Sequence, residues 1–187
     1  MTSARLAAAL LAGATALSAC STTGYVSDGE PVDPNQAYLL LVSHFRSDQL
    51  DAKWQPFVGL MLARIDPDGT RHRMDFSVEP AGAGILRMPA GTYEIEEAVG
   101  IDFHPGFGRF VVKAGRVNYV GDWWLSNSRA NLGIGGKPSY CNEPCMHLST
   151  QFKMNPQVGE KYAHDFPKMA VQLPLEIGAP PMLPARR

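Results

Sequence analysis

The run Y-C-N-E-P-C-M-H, Tyr140 to His147, concentrates the most reactive side chains of the sequence within eight residues. Three chemistries suit two cysteines four apart with a methionine and a histidine behind them. As thiolates, Cys141 and Cys145 with Met146 or His147 as a third ligand match the soft donor set of Cu(I). Zinc calls for a fourth ligand, for which His164 is available. As a redox pair they lack the strand–C-x-x-C–helix setting that lowers a thiol pKa. As a disulfide they need a turn, because residues four apart in an extended strand stand about 13 Å apart, beyond bridging distance. The intervening Asn, Glu and Pro are turn formers.

Other catalytic signatures are weak. Gly133-Ile-Gly-Gly-Lys137 suggests a phosphate loop, but Asn131 stands where that pattern needs glycine and Pro138 where it needs Ser or Thr. There is no H-E-x-x-H and no G-x-S-x-G. Glu94, Glu96 and Glu97 contain an acid/base pair in principle, yet Glu94 and Glu96 fall on the polar parity of a strand and read as a solvated face. Ile101 to Gly108 (I-D-F-H-P-G-F-G) gathers Phe103, His104 and Phe107 among flexible glycines. That composition suits a small binding surface or a strand connection whose rings tuck into the core. Trp123 and Trp124 alternate, so one ring belongs to the core and Trp124 is left to line a groove or interface. The reading that follows is of a non-enzymatic protein with no cofactor.

The N-terminus sets the context. Arg5 precedes an apolar run from Leu6 to Leu17 that ends in small residues, the pattern of a secretory signal peptide and too short to span a bilayer of about 30 Å as a helix. Leu17-Ser-Ala-Cys20 resembles the lipobox of bacterial lipoproteins. That resemblance implies cleavage after residue 19, a diacylglyceryl thioether on Cys20 and a third acyl chain, palmitate-like, on the new amino group. Ser21 after the cysteine, where an aspartate favours retention in the inner membrane, points to the periplasmic face of the outer membrane. With Cys20 lipidated, Cys141 and Cys145 are an even set in an oxidising compartment, and a structural disulfide becomes the preferred reading of the opening motif. The metal set Cys141, Cys145, Met146 and His147 stays as the alternative.

Residues 20–36 are small, polar and proline-punctuated, which predicts a flexible tether. Removing residues 1–19, which hold Arg5 and no acid, takes 17 basic and 18 acidic residues to 16 and 18, a net charge of −2. So even a balance, without basic runs, argues against nucleic acid as a partner. The expected partners are the membrane, through the lipid, and another envelope protein.

The elements that must position these groups are mostly strands. Tyr38–Phe45 and Phe57–Ile65 are apolar on both parities, as suits central strands. Asp66-Pro-Asp-Gly69 has the residue preferences of a type I turn. Thr70 to Val78 alternates, with Met74, Phe76 and Val78 on one parity and Arg71, Arg73 and Asp75 on the other; His72 reads as a rim residue with a single hydrogen bond. Pro89-Ala-Gly91 and Lys113-Ala-Gly115 are tight turns, the second with glycine suited to the left-handed position of a hairpin loop. Val117, Tyr119, Trp123 and Leu125 share a parity. The pattern predicts a single, mainly β domain over 37–173, an antiparallel β-sandwich of about 6–8 strands. Residues 126–154 read as one long loop stapled by the disulfide, 157–167 as a short helix with Val158, Tyr162 and Phe166 on one stripe, and 174–187 as a disordered tail. The segments L-R-M-P-A-G-T-Y-E-I and F-V-V-K-A-G-R-V-N-Y-V-G, within Ile85 to Trp124, resemble a group of small bacterial envelope lipoproteins. That resemblance implies a transthyretin-like or immunoglobulin-like sandwich and brings no catalytic residues with it.

Overall fold

The computed structural model describes residues 24–47, 57–98, 100–129 and 146–183. In chain order the strands are β1 (Gly24–Tyr25), β2 (Ala37–Ser47), β3 (Val58–Ile65), β4 (Arg71–Val78), β5 (Ala81–Met88), β6 (Gly91–Ala98), β7 (Ile101–Asp102), β8 (Phe110–Val112), β9 (Val117–Tyr119), β10 (Asp122–Arg129) and β11 (Met146–Lys153). Helices α1 (Val158–Asp165) and α2 (Pro167–Gln172) and a last strand, β12 (Leu175–Ile177), complete it. Two sheets form a sandwich. The first runs β1-β5-β2-β10-β11, with β9 on the same side of β2 as β10 and with β12 beyond it; the second runs β4-β3-β6-β7, with β8 also on β6. Most pairings are antiparallel, as the alternating pattern predicts, but β2 pairs in parallel with both β9 and β10, and β12 with β9.

The apolar residues divide accordingly. Leu39, Leu41 and Phe45 of β2, Leu86 and Met88 of β5, and Trp123 and Leu125 of β10 meet Leu60, Leu62, Tyr93, Ile95 and Phe110 of the second sheet in the main core. The opposite face of the first sheet, with Tyr38, Leu40, Ile85, Val117 and Tyr119, is covered by Val158, Tyr162, Met169 and Leu173 of the helical segment. Hence β2 is apolar on both parities because it is covered on both sides. Trp123 closes the main core, edge-on to Phe110 of the other sheet and to Phe152 of β11, each at 5.5 Å between ring centroids.

Several expectations need correction. Val117 and Tyr119 do not share a face with Trp123 and Leu125: Gly121, at φ +106°, kinks the chain between β9 and β10 and swaps the faces. Pro89–Gly91 and Lys113–Gly115 are tight turns between strands, as expected, but the second is not a hairpin loop within a sheet. Each carries the chain from one sheet to the other, although Gly115 does take the left-handed conformation, at φ +68°. Asn118, buried beside the second turn, donates from its amide to the carbonyls of Tyr38, Lys113 and Arg116 and accepts the Lys113 N–H, tying β2, β9 and the turn together.

The described part of the expected tether is packed, not loose. β1 pairs with β5, Val26 enters the second core, and the Asp28 carboxylate accepts the Lys168 and Met169 N–H groups at the start of α2. The tail likewise contributes β12 and a bridge from Met182 to Arg109. The segment expected as one loop over 126–154 is a strand at both ends, since β10 and β11 pair from Asp122↔Lys153 to Arg129↔Met146. The helix over 157–167 is present as α1 and continues past Phe166 into α2, because Pro167 opens a new helix where its ring is tolerated.

Candidate functional site

Cys20, Cys141 and Cys145 lie outside the described residues. Met146 and His147 enter only through their backbone: they open β11, with Met146 opposite Arg129 and His147 opposite Ser128. Among the described residues no three His, Cys, Asp or Glu side chains converge to hold a metal ion. No helix among them is long and apolar enough to cross a membrane.

The four residues expected to line a binding surface do not come together. Phe103 and Phe107 stack at 4.1 Å between centroids and pack against the main core, so of the two readings of their loop the strand connection is the one realised for these rings. His104 is exposed on the same loop, its carbonyl accepting the Phe107 N–H. Trp124 is elsewhere, on the opposite face of β10 from Trp123. His44 of β2 stacks on its ring at 3.8 Å between centroids and 13° between planes, and the Lys153 ammonium sits 4.7 Å from the indole centre. Those neighbours occupy the indole, so Trp124 is better described as the middle of a polar–aromatic cluster than as an open stacking platform. Asp122 stands at its margin, 3.9 Å from His44.

The group that sequence reasoning missed is Glu94. Its parity on β6 does point it away from the core, as expected, but only 1 % of its side chain is exposed. The loop between β7 and β8 folds over it, placing the Gly106 N–H 2.9 Å from Oε2 and the Arg109 guanidinium on Oε1. Arg71 of β4 closes the other side on Oε2 at 2.5 Å and reaches Glu96 at 3.0 Å. Burial pushes the Glu94 carboxyl pKa up. The hydrogen bonds from Gly106, Arg109 and Arg71 outweigh that push and leave it below the ordinary glutamate range. Glu94 is thus an ionised clamp that fastens a loop to a sheet, with its oxygens engaged and no proton to donate near neutral pH. Nothing local in the sequence links positions 71, 94 and 109. His72 behaves as its position suggests: on the rim, it shares one hydrogen bond of 2.7 Å with Asp66.

A scan of protein-family models, a search of curated proteins and a search of solved structures each found no match for this chain. The class rests on its own architecture: a β-sandwich with a helical layer on one face.

Proposed function

We propose that this chain is a lipid-anchored protein of the bacterial cell envelope, held at the periplasmic face of the outer membrane, that acts as a non-enzymatic scaffold or interaction module for another envelope protein. The observation that carries this reading is Leu17-Ser-Ala-Cys20 at the end of an apolar, Arg5-led segment. Two acyl anchors already hold a protein stably on a membrane, so three on one cysteine make attachment effectively permanent. The disulfide Cys141–Cys145 belongs to the same reading.

Intact mass of the chain extracted from membranes tests both parts. The expected species begins at Cys20, carries three acyl chains, and gains two hydrogens on reduction. Replacing Cys20 with serine should release the protein from the membrane fraction. A chain that keeps residues 1–19 and no lipid refutes the anchor. Free thiols with bound copper or zinc replace the staple by the metal set Cys141, Cys145, Met146 and His147.

A further inference from the structure

We infer that the sandwich stands on the membrane in one fixed orientation, with the β2-start end of the first sheet against the lipid headgroups and the β10–β11 hairpin pointing away. The inference rests on the lipoprotein reading above and adds to it the surface that faces the bilayer. A leash over residues 21–36 would let the domain tumble, but the folded body already begins at Gly24, which pairs with Arg87. Four Cα steps join Cys20 to Gly24, and a chain that short reaches about 14 Å at full extension. Tyr25 holds the start of the body in place: its ring lies directly over Gly84, where any Cβ would collide with it, and its hydroxyl accepts the Glu79 N–H at 3.1 Å.

Strand direction then decides which end is near. Gly24 pairs at the row of Arg87 and Tyr38, where β2 starts, β5 ends and β6 follows after one turn. The turns at 66–70, 89–90 and 113–116 lie at this end. From Tyr38 to Ser47, β2 rises about 30 Å. At that far end β2 finishes, β10 finishes and β11 begins, because β10 runs parallel to β2 and Asn127 pairs with Ser47. The charges at the near end suit a headgroup surface because they nearly balance: Arg87 pairs with Glu30, Arg64 with Asp66, and Lys113 and Arg116 share Glu176, while Asp33 and Asp68 add two carboxylates outside any ion pair among the described residues. Such a rim has no large field to repel a zwitterionic layer or to need an anionic one.

Energy transfer measures the orientation. The protein as extracted from membranes, reconstituted in phosphatidylcholine vesicles with acceptor-labelled headgroups, receives a donor dye through an unnatural amino acid at one of two exposed alanines. Ala90 lies in the near turn, and Ala81 lies opposite His44, seven residues back along β5 from the near end. Transfer should be several-fold greater from position 90 than from position 81. Inserting a flexible Gly-Ser segment of about twelve residues after Thr23 should erase most of that contrast. Equal transfer from the two sites, or greater transfer from 81, overturns the orientation while leaving the anchor standing. A mass without acyl chains in the same sample overturns both.

Discussion

Replacing Glu94 tests the claim that a buried carboxylate fastens the β7–β8 loop to the second sheet. Glu94→Gln keeps the shape and removes the charge. Charge-assisted hydrogen bonds are worth about 1.5–3 kcal/mol each and neutral ones about 0.5–1.5. Arg71 and Arg109 are 32 % and 48 % exposed, so water screens their share and offers them new partners. The glutamine variant should therefore lose about 1–2 kcal/mol at pH 7. Glu94→Ala, which also strands the Gly106 N–H, should lose about 3 kcal/mol. The acid side gives a sharper test. Because the folded-state pKa of Glu94 lies below that of the unfolded chain, its stabilisation is complete above about pH 4.3 and is lost as pH falls through the folded value. Urea unfolding followed by tryptophan fluorescence at pH 7 and near pH 3 should show the wild type and Glu94→Gln converging in acid. A gap between them that is the same at both pH values, or under about 0.5 kcal/mol at pH 7, refutes the clamp.

Three further outcomes are expected. Gly84→Ala should displace the Tyr25 ring and detach β1, so amide exchange at residues 24–27 should rise well above that of β2, while global stability drops by about 1–2 kcal/mol. Asn118→Asp sets a carboxylate against the carbonyls of Tyr38, Lys113 and Arg116; a loss of about 3 kcal/mol or more in urea unfolding is expected, with Asn118→Ala costing less. Trp124→Ala should leave the main core intact, lowering stability by about 1–2 kcal/mol and shifting the His44 imidazole proton resonances as its stacking partner disappears, whereas Trp123→Ala should cost about 3–5 kcal/mol.

Alternation carried the fold class. Met74, Phe76 and Val78 read as the inner face of β4, and Val78 and Phe76 are indeed buried there, because a half-solvated strand writes its environment into every second residue. What alternation does not carry is which surface covers a given face. Glu94 sits on the parity that usually meets water, and a loop arriving from residues 103–109 turns that position into a buried one. Tight turns were legible as turns, but a turn within a sheet and a turn between sheets use the same residues, so Pro89–Gly91 and Lys113–Gly115 could not be told apart from hairpins. Gly121 hid a reversal of faces, since only its backbone angle records the kink. The polar composition of residues 24–36 suggested a leash because the hydrogen-bonding partners of Tyr25, Val26 and Asp28 are 54 or more residues away along the chain. For the candidate site, the types of Phe103, Phe107 and Trp124 marked them out, but the core and His44 claim surfaces that the sequence left open.

The parallel pairing of β2 with β10 also shapes how the protein reaches its native state. Val42 meets Asp122, and Tyr38 meets the Asn118 amide, across 80 positions of chain. A strand apolar on both parities thus waits, with one edge unpaired, until its distant neighbour is released and the long loop between them has closed. That wait is the interval of greatest exposure to aggregation during folding, and β2 is the segment an escorting chaperone would most need to cover.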